Sequence, residues 1–258
     1  MKIVVLVKDV PDTFVDRNLS LETGLADREA SDNILDEICE RAVEVALKAS
    51  ESNDDVEVVA LSMGRADAAG TLRKALAMGA DTGAHIDDED LLGADLTLTA
   101  EVMEKAITKT GFDLVIAGNE STDGTAGMLP AMLAERLGVP LASGLSAVEV
   151  TADKVTGTRP TDDGVAQVST SLPAVVSITE ANPDGRFPNF KGIMAAKKKP
   201  VETFTLADLG VSADPSQAPR AIMVSVAEKP PREAGTKVVD EGDAGKQLAE
   251  FLISNRLV

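Results

Sequence analysis

The sequence predicts an α/β fold: a doubly wound, mostly parallel sheet with an antiparallel insertion at its edge and an extended C-terminal arm. Three observations predict it. Short apolar, β-branched runs alternate with stretches of helical periodicity from Lys2 to Gly138, as successive βαβ units with right-handed crossovers require. Between Ser146 and Ser169 the hydrophobic period falls to two, with turn residues at Ala152-Asp153 and Asp162-Asp163-Gly164, which is the pattern of antiparallel hairpins. Beyond Pro200 the chain is interrupted by Pro215, Pro219, Pro230 and Pro231 and reads as a tail.

Taken in order, Lys2 to Lys8 is an apolar run bounded by Pro11, short enough for a buried parallel strand. Asp12 to Ala30 is polar and reads as a loop, with a small hairpin possible over Asn18 to Gly24. From Ser31 or Asn33 the spacing of Ile34, Leu35, Ile38, Ala42, Val43, Ala46 and Leu47 predicts a helix to about Ser50. Val56 to Ser62 is the second strand, and a helix through Leu72, Leu76 and Met78 stops at Gly79, which suits a left-handed helix end. His85 and Ile86 mark the third strand, Leu96 to Thr110 an amphipathic helix, and Asp113 to Ala117 the fourth strand. Met128 to Gly138 is helical, with Pro130 tolerated in its first turn. Pro173 to Thr179 is one more buried strand; further on, Leu206 to Leu209 forms a turn, Ile222 to Val226 could be a strand, and Ala244 to Leu257 has helical spacing at Leu248, Phe251 and Leu252.

Composition narrows the function. With 44% hydrophobic residues in 258 the chain can build a sizeable core. No run approaches the roughly 20 apolar residues that span a bilayer, and Met1 to Lys8 is too short for a signal peptide. The expected location is therefore the cytoplasm, or an organelle matrix such as that of mitochondria in a eukaryote. One cysteine, Cys39, and one histidine, His85, exclude a disulfide framework and a Cys/His metal cluster. His85 lies in a short strand and reads as a packed or surface residue rather than a catalytic one. A net charge of -18 disfavours nucleic acid and anionic membranes as partners.

Two stretches carry functional signals. Gly118-Asn-Glu-Ser-Thr-Asp-Gly-Thr-Ala-Gly127 joins a strand end to a helix start, where backbone amides and the helix dipole favour phosphate. Gly118, Gly124 and Gly127 allow close approach, and Ser121, Thr122 and Thr125 add hydroxyl donors; no lysine or arginine of a nucleotide-hydrolysing loop is present. An ordinary helix N-cap from Asp123 or Thr125 is the alternative reading. Arg186 to Pro200 is the one strongly basic segment, with Arg186, Lys191, Lys197, Lys198 and Lys199 and no acid among them. It displays Phe187 and Phe190 beside Pro188 and Gly192, which suits a docking arm whose aromatic enters a partner's pocket. A solvated loop leading into a Lys-rich helix is the other reading.

Glu180-Ala-Asn182, Arg186-Phe-Pro188 and Gly192-Ile-Met-Ala-Ala-Lys-Lys-Lys-Pro200 resemble the signature of the electron transfer flavoprotein β subunit. Val7-Lys-Asp-Val-Pro-Asp12, Ala75-Leu-Ala-Met-Gly-Ala-Asp81 and the Gly118 to Gly127 loop follow the same family in order, so the resemblance covers most of residues 1–200. It implies an adenine nucleotide α-hydrolase-like domain over 1–200, with a recognition loop at 184–199, and an arm at 201–258 that packs on the partner subunit. AMP is implied in this chain, held by backbone contacts at Leu6 and Met63, a polar contact from Asp36, and the loop residues Gly118, Asn119, Ser121, Thr122, Asp123, Gly124, Thr125, Ala126 and Gly127. The implied redox-active FAD belongs to the α subunit, although some members hold a second FAD in the AMP position. By the same resemblance Arg186, Phe187, Phe190, Lys191, Ile193 and Met194 dock acyl-CoA dehydrogenases of fatty acid oxidation. Electrons then pass to a quinone oxidoreductase, and the chain itself is no enzyme. Three departures stand out: Asp36-Glu37 replaces a common Asn-Pro, Gly127 replaces a glutamine in a shortened loop, and Phe190 stands where the family inserts a leucine. A free-standing ATP-binding sensor module of the stress type is the rival reading.

Overall fold

A computed structural model of the chain describes residues 1–53, 55–216, 220–232, 234–235 and 237–258, so Pro219 lies outside the described residues. The chain forms two compact units, Met1–Ser225 and Val226–Val258.

In the first unit β1 (Lys2–Val7) is followed by a short antiparallel pair, β2 (Asp9–Pro11) and β3 (Asn33–Leu35). Next come α1 (Glu37–Glu51), β4 (Glu57–Met63), α2 (Ala69–Met78), β5 (Thr82–Ile86), α3 (Leu96–Thr110), β6 (Leu114–Gly118), α4 (Leu129–Leu137) and β7 (Leu141–Leu145). Three antiparallel strands, β8 (Ala147–Val150), β9 (Lys154–Thr161) and β10 (Gly164–Ser171), precede β11 (Ala174–Ile178), α5 (Phe190–Ala196), β12 (Val201–Phe204) and α6 (Leu206–Leu209). The central sheet has seven strands in the order β12-β5-β4-β1-β6-β11-β7. Every pairing in it is parallel. The doubly wound α/β fold is therefore present, with the antiparallel insertion leaving from the edge strand β7.

Strand alternation sorts the core into two layers. Ile3, Val5, Val58, Ala60, Ile116 and Val176 pack with α1 and α2. Val4, Leu6, Val59, Leu61, Val115 and Val175 face the opposite layer, built from α3, α4 and α6. Of the two readings of His85, packed or surface, the structure shows the packed one, and burial pushes the Cys39 thiol up to about 12, which removes it as a nucleophile.

The structure corrects four element readings. The helix expected from Ser31 or Asn33 begins only at Glu37, because Ile34 and Leu35 serve a strand that pairs with Val10 and Asp9. Leu141–Leu145 is an edge strand, unread because Ser143 and Gly144 dilute its apolar pattern. The supposed tail begins with a strand: Val201–Phe204 extends the central sheet along β5, and Phe204 is buried. Ile222, Met223 and Val224 are exposed and form no strand. Helix α2 ends at Gly79 with φ 150°, where a side chain would stand 2.9 Å from Leu47 Cδ2.

The second unit contains α7 (Ala244–Ser254), shorter than the expected Ala244 to Leu257 and with Leu248 and Phe251 exposed.

Candidate functional site

The chain lays β4, β5 and β12 on one side of β1 and β6, β11 and β7 on the other. Ligands bind doubly wound sheets at such a switch point, beyond the carboxyl ends of the strands. Here the two central strands part. The β1–β6 ladder stops at Val5 and Ile116, whereas β1 continues along β4 to Val7 and β6 continues along β11 to Gly118. The strand ends thus diverge at Leu6-Val7 and Ala117-Gly118, the place where the crevice of a doubly wound sheet is expected. At Gly118 a side chain would stand 2.7 Å from Ile38, so glycine lets α1 close on the strand end.

Asp36 precedes α1 in non-helical backbone and is wholly buried. Its Oδ2 accepts from the Thr122 N–H at 2.9 Å, and its own N–H donates to Lys8 O at 3.0 Å. Among the described residues its Oδ1 has no partner. Burial pushes this carboxyl above the ordinary aspartate range.

Asp123 is the focus of the loop. Lys8 Nζ donates to its Oδ1 at 2.6 Å and to Ser121 Oγ at 3.1 Å, while Arg28 donates to its Oδ2 at 3.0 Å. The Gly124 N–H adds bonds to Asp123 Oδ1 at 2.6 Å and Ser121 Oγ at 3.3 Å, and Arg17 donates to Thr122 O. Burial would raise the Asp123 carboxyl, but the hydrogen bond and charge of Lys8, helped by Ser121 and Gly124, hold it down at about 2.

The rest of the loop is exposed and differently built. Thr125 takes left-handed backbone at φ 46°, and Gly127 follows at φ 64°; for a β-branched residue this is a rare conformation. No side chain caps α4, and among the described residues the N–H groups of Ala126 and Gly127 have no acceptor. These donors and the missing side chain of Gly124 compose an exposed surface suited to a phosphate-bearing ligand. A Cβ on Gly124 would come within 3.3 Å of Ser121 Oγ and 3.7 Å of Lys8 Nζ.

Of the residues expected at this site, Asp36, Ser121, Thr122, Asp123 and Gly124 are joined through direct hydrogen bonds to one another or to Lys8. Leu6 and Met63 lie at the ends of β1 and β4 with their side chains packed toward the α3 layer. Asn119 continues the sheet, donating its N–H to Ile178 O at 2.8 Å. Sequence reasoning missed Lys8, Arg28 and Arg17. The loop carries no cation of its own, yet Lys8 follows the strand that neighbours β6, and that adjacency was the available signal.

The basic segment is a pinned arm. Asn182 is buried and donates to Leu145 O at 2.7 Å and Thr179 O at 3.1 Å, and Arg41 pairs with Asp184. Arg186 grips α1, donating from Nε to Glu44 Oε2 at 2.7 Å and from a terminal nitrogen to Glu44 Oε1 at 3.0 Å, with Glu51 as a further partner. Lys199 Nζ donates to three carbonyls at the end of α2, Leu76, Gly79 and Ala80, at 3.0, 3.1 and 2.6 Å. Burial pulls the Lys199 ammonium below the ordinary lysine range.

Between these fasteners Asn189 caps α5 through the Gly192 N–H at 2.8 Å, so much of the expected recognition loop is helix. Phe187 and Phe190 are 93% and 79% exposed, and Ile193 and Met194 stand beside them at 46% each. Lys191, Lys197 and Lys198 are exposed and make no ion pair among the described residues. Two of the five cations are therefore structural, and three face outward with an apolar cluster.

The family model described as "Electron transfer flavoprotein domain" matches residues 23–209. Over 264 residues the chain is 46% identical to the electron transfer flavoprotein subunit beta of Mycobacterium leprae, with 99% of each chain covered. The chain belongs to the electron transfer flavoprotein β-subunit family. The β subunit of Syntrophomonas wolfei is 32% identical over 253 residues, covering 98% of this chain and 96% of that one. A subunit of the caffeyl-CoA reductase–Etf complex of Acetobacterium woodii is 29% identical over 262 residues, covering 98% and 97%. Membership of the electron transfer flavoprotein family places the chain in electron transfer. Among the described residues no helix is long and apolar enough to cross a membrane, and no group of three or more His, Cys, Asp or Glu side chains could hold a metal ion.

Proposed function

We propose that this β subunit pairs with an α subunit carrying the redox-active FAD, holds AMP in the β1–β6 crevice and docks acyl-CoA-type dehydrogenases through the arm at 186–199. Electrons then leave through the α-subunit FAD to a quinone oxidoreductase. The observation that carries the docking reading is the exposure of Phe187 and Phe190 on an arm pinned at both ends. A flat aromatic anchor on a pre-ordered support can fill a partner's pocket without the entropy cost of ordering a loose loop. Three outward lysines favour an acidic partner surface and speed its approach.

In the crevice, the backbones of Leu6 and Met63 and the carboxyl of Asp36 would contact the purine end of AMP. The loop from Gly118 to Gly127 would contact its phosphate, with the uncapped start of α4 supplying the field. The FAD supplies the redox chemistry when bound; this chain's residues bind, orient and dock. Its bacterial relatives fit a carrier working in the cytoplasm.

The test is to coexpress this chain with an α subunit, purify the complex and identify the nucleotides released on denaturation. Equimolar FAD and AMP in a one-to-one heterodimer supports the reading. Two FAD per heterodimer would replace AMP by a second flavin, and a colourless homodimer holding ATP would sink the proposal in favour of a sensor module.

A further inference from the structure

A groove of about 380 Å³ runs between α2 and α5. Its floor is apolar, made by Ala77 of α2 and by Pro188, Ile193 and Ala196 of the arm. Its rim is basic, with Arg73 and Lys74 on the α2 side and Lys197 on the other. The walls are held in place: α5 meets α2 backbone to backbone at Gly192 and Ala77, and Arg73 Nη1 donates to Ala196 O at 3.2 Å. Gly70 also lines the groove, and no atom lies within 4 Å of the place where its Cβ would stand. An exposed helical glycine costs up to about 1 kcal/mol relative to alanine, and no packing among the described residues asks for one here. We propose that this groove takes an apolar side chain flanked by carboxylates from the dehydrogenase whose pocket receives Phe190, so that each partner inserts into the other. The proposal rests on the reading of the arm as a docking surface.

Charge names the occupant. Among the described residues Arg73 and Lys197 make no ion pair, whereas Glu40 is committed to Lys74, and Asp67, three residues before Gly70, to Arg65. In a chain of net charge -18 this rim and the neighbouring Lys191 and Lys198 form a basic island, complementary to an acidic surface. The apolar floor adds the second requirement, an uncharged side chain between the acids. Continuity with the arm names the same partner: Ile193 follows Phe190 by three residues, so one face of α5 carries both the exposed aromatic and a wall of the groove. Interface anchors tend to face anchors of the partner. A small molecule fits less well, because Gly70, Arg73, Ile193 and Lys197 are exposed whereas ligand pockets bury about 70–90% of their ligand. A second copy of the chain would bring the same net charge and be repelled.

The test uses the αβ complex as the substrate of an acyl-CoA dehydrogenase, with Gly70→Leu to fill the groove from α2, outside the arm. Its KM is expected to rise by about fivefold or more, with FAD content and melting midpoint kept. Arg73→Gln, which retains a donor for Ala196 O, should raise KM by about threefold at low ionic strength, a difference that fades as salt screens the charge. If the leucine variant does not fold, Arg73→Gln decides alone. A KM within about 1.5-fold of the parent's in these variants, while Phe190→Ala raises it, overturns the groove and leaves the docking arm standing. No change in any of the three overturns both. Two other occupants are checked in parallel by sedimentation velocity of the complex and by calorimetric titration with dodecanoate. Self-association or dodecanoate binding that Gly70→Leu abolishes, with KM unmoved, assigns the groove to a second copy or to a fatty carboxylate and overturns the proposal.

Discussion

Gly192 lies so close to Ala77 that a Cβ on it would stand 2.4 Å from the Ala77 carbonyl oxygen. This contact seats α5 on α2, and backbone faces backbone, so no side chain can yield to make room. Gly192→Ala is expected to destabilise the protein by about 1–3 kcal/mol, the usual cost of forcing extra volume into a close contact. A thermal melt measures it; an unchanged midpoint would mean that the helices are free to separate.

Phe190→Ala tests the opposite property, exposure without structural duty. Its side chain is 79% exposed, so stability should move by no more than about 0.5 kcal/mol. Electron transfer from an acyl-CoA dehydrogenase should fall by about tenfold or more, as for loss of an interface anchor, with FAD content intact. Parent-like kinetics in stopped-flow reduction would remove Phe190 from the docking surface.

Arg186 and Glu44 should behave as a coupled pair. Glu44 is buried and takes both nitrogen contacts from Arg186, whereas the arginine is about one third exposed. Removing the arginine leaves a buried carboxylate short of a partner, so Arg186→Met is expected to cost about 2 kcal/mol, and a double-mutant cycle with Glu44→Gln to return a coupling on the order of 1 kcal/mol. Urea unfolding of the four proteins gives the number, and additive effects would deny the pairing.

Asp123 predicts an acid limb. Its carboxyl sits at about 2 in the folded protein, below the ordinary value of about 3.9. A depressed folded value means that ionisation stabilises the fold above the unfolded value, and this contribution is lost as pH falls from about 4 to about 2. The loss is at most about 2 kcal/mol. Unfolding curves between pH 5 and pH 2, denaturant-induced to stay reversible, should therefore be less steep in Asp123→Asn. Equal pH slopes in the two proteins would show that Lys8 and Arg28 do not stabilise this carboxylate.

Legibility in the sequence followed how many purposes a stretch serves. Leu96–Thr110 was readable to the residue because one apolar stripe packs on one sheet face and Gly111 ends it. Ile34 and Leu35 were misread because their spacing continues the stripe of α1 although they pair with β2. β12 hid behind Glu202 and Thr203, which an edge strand can leave exposed while Phe204 fills the core. In the crevice, the glycine and hydroxyl content of the loop was visible as composition. Its cations were not, because Lys8 and Arg28 reach Asp123 from 115 and 95 residues away, and only the strand order brings them there.

Helix α1 has a consequence of a mechanical kind. Its leading residue Asp36 is fastened to the loop through Thr122, while Arg41, Glu44 and Glu51 hold Asp184 and Arg186 of the arm. Fifteen helical residues make a strut of roughly 22 Å, so the crevice and the arm are two ends of one beam. A load on the Asp36 end and a load on the Arg186 end are therefore borne by the same fifteen residues.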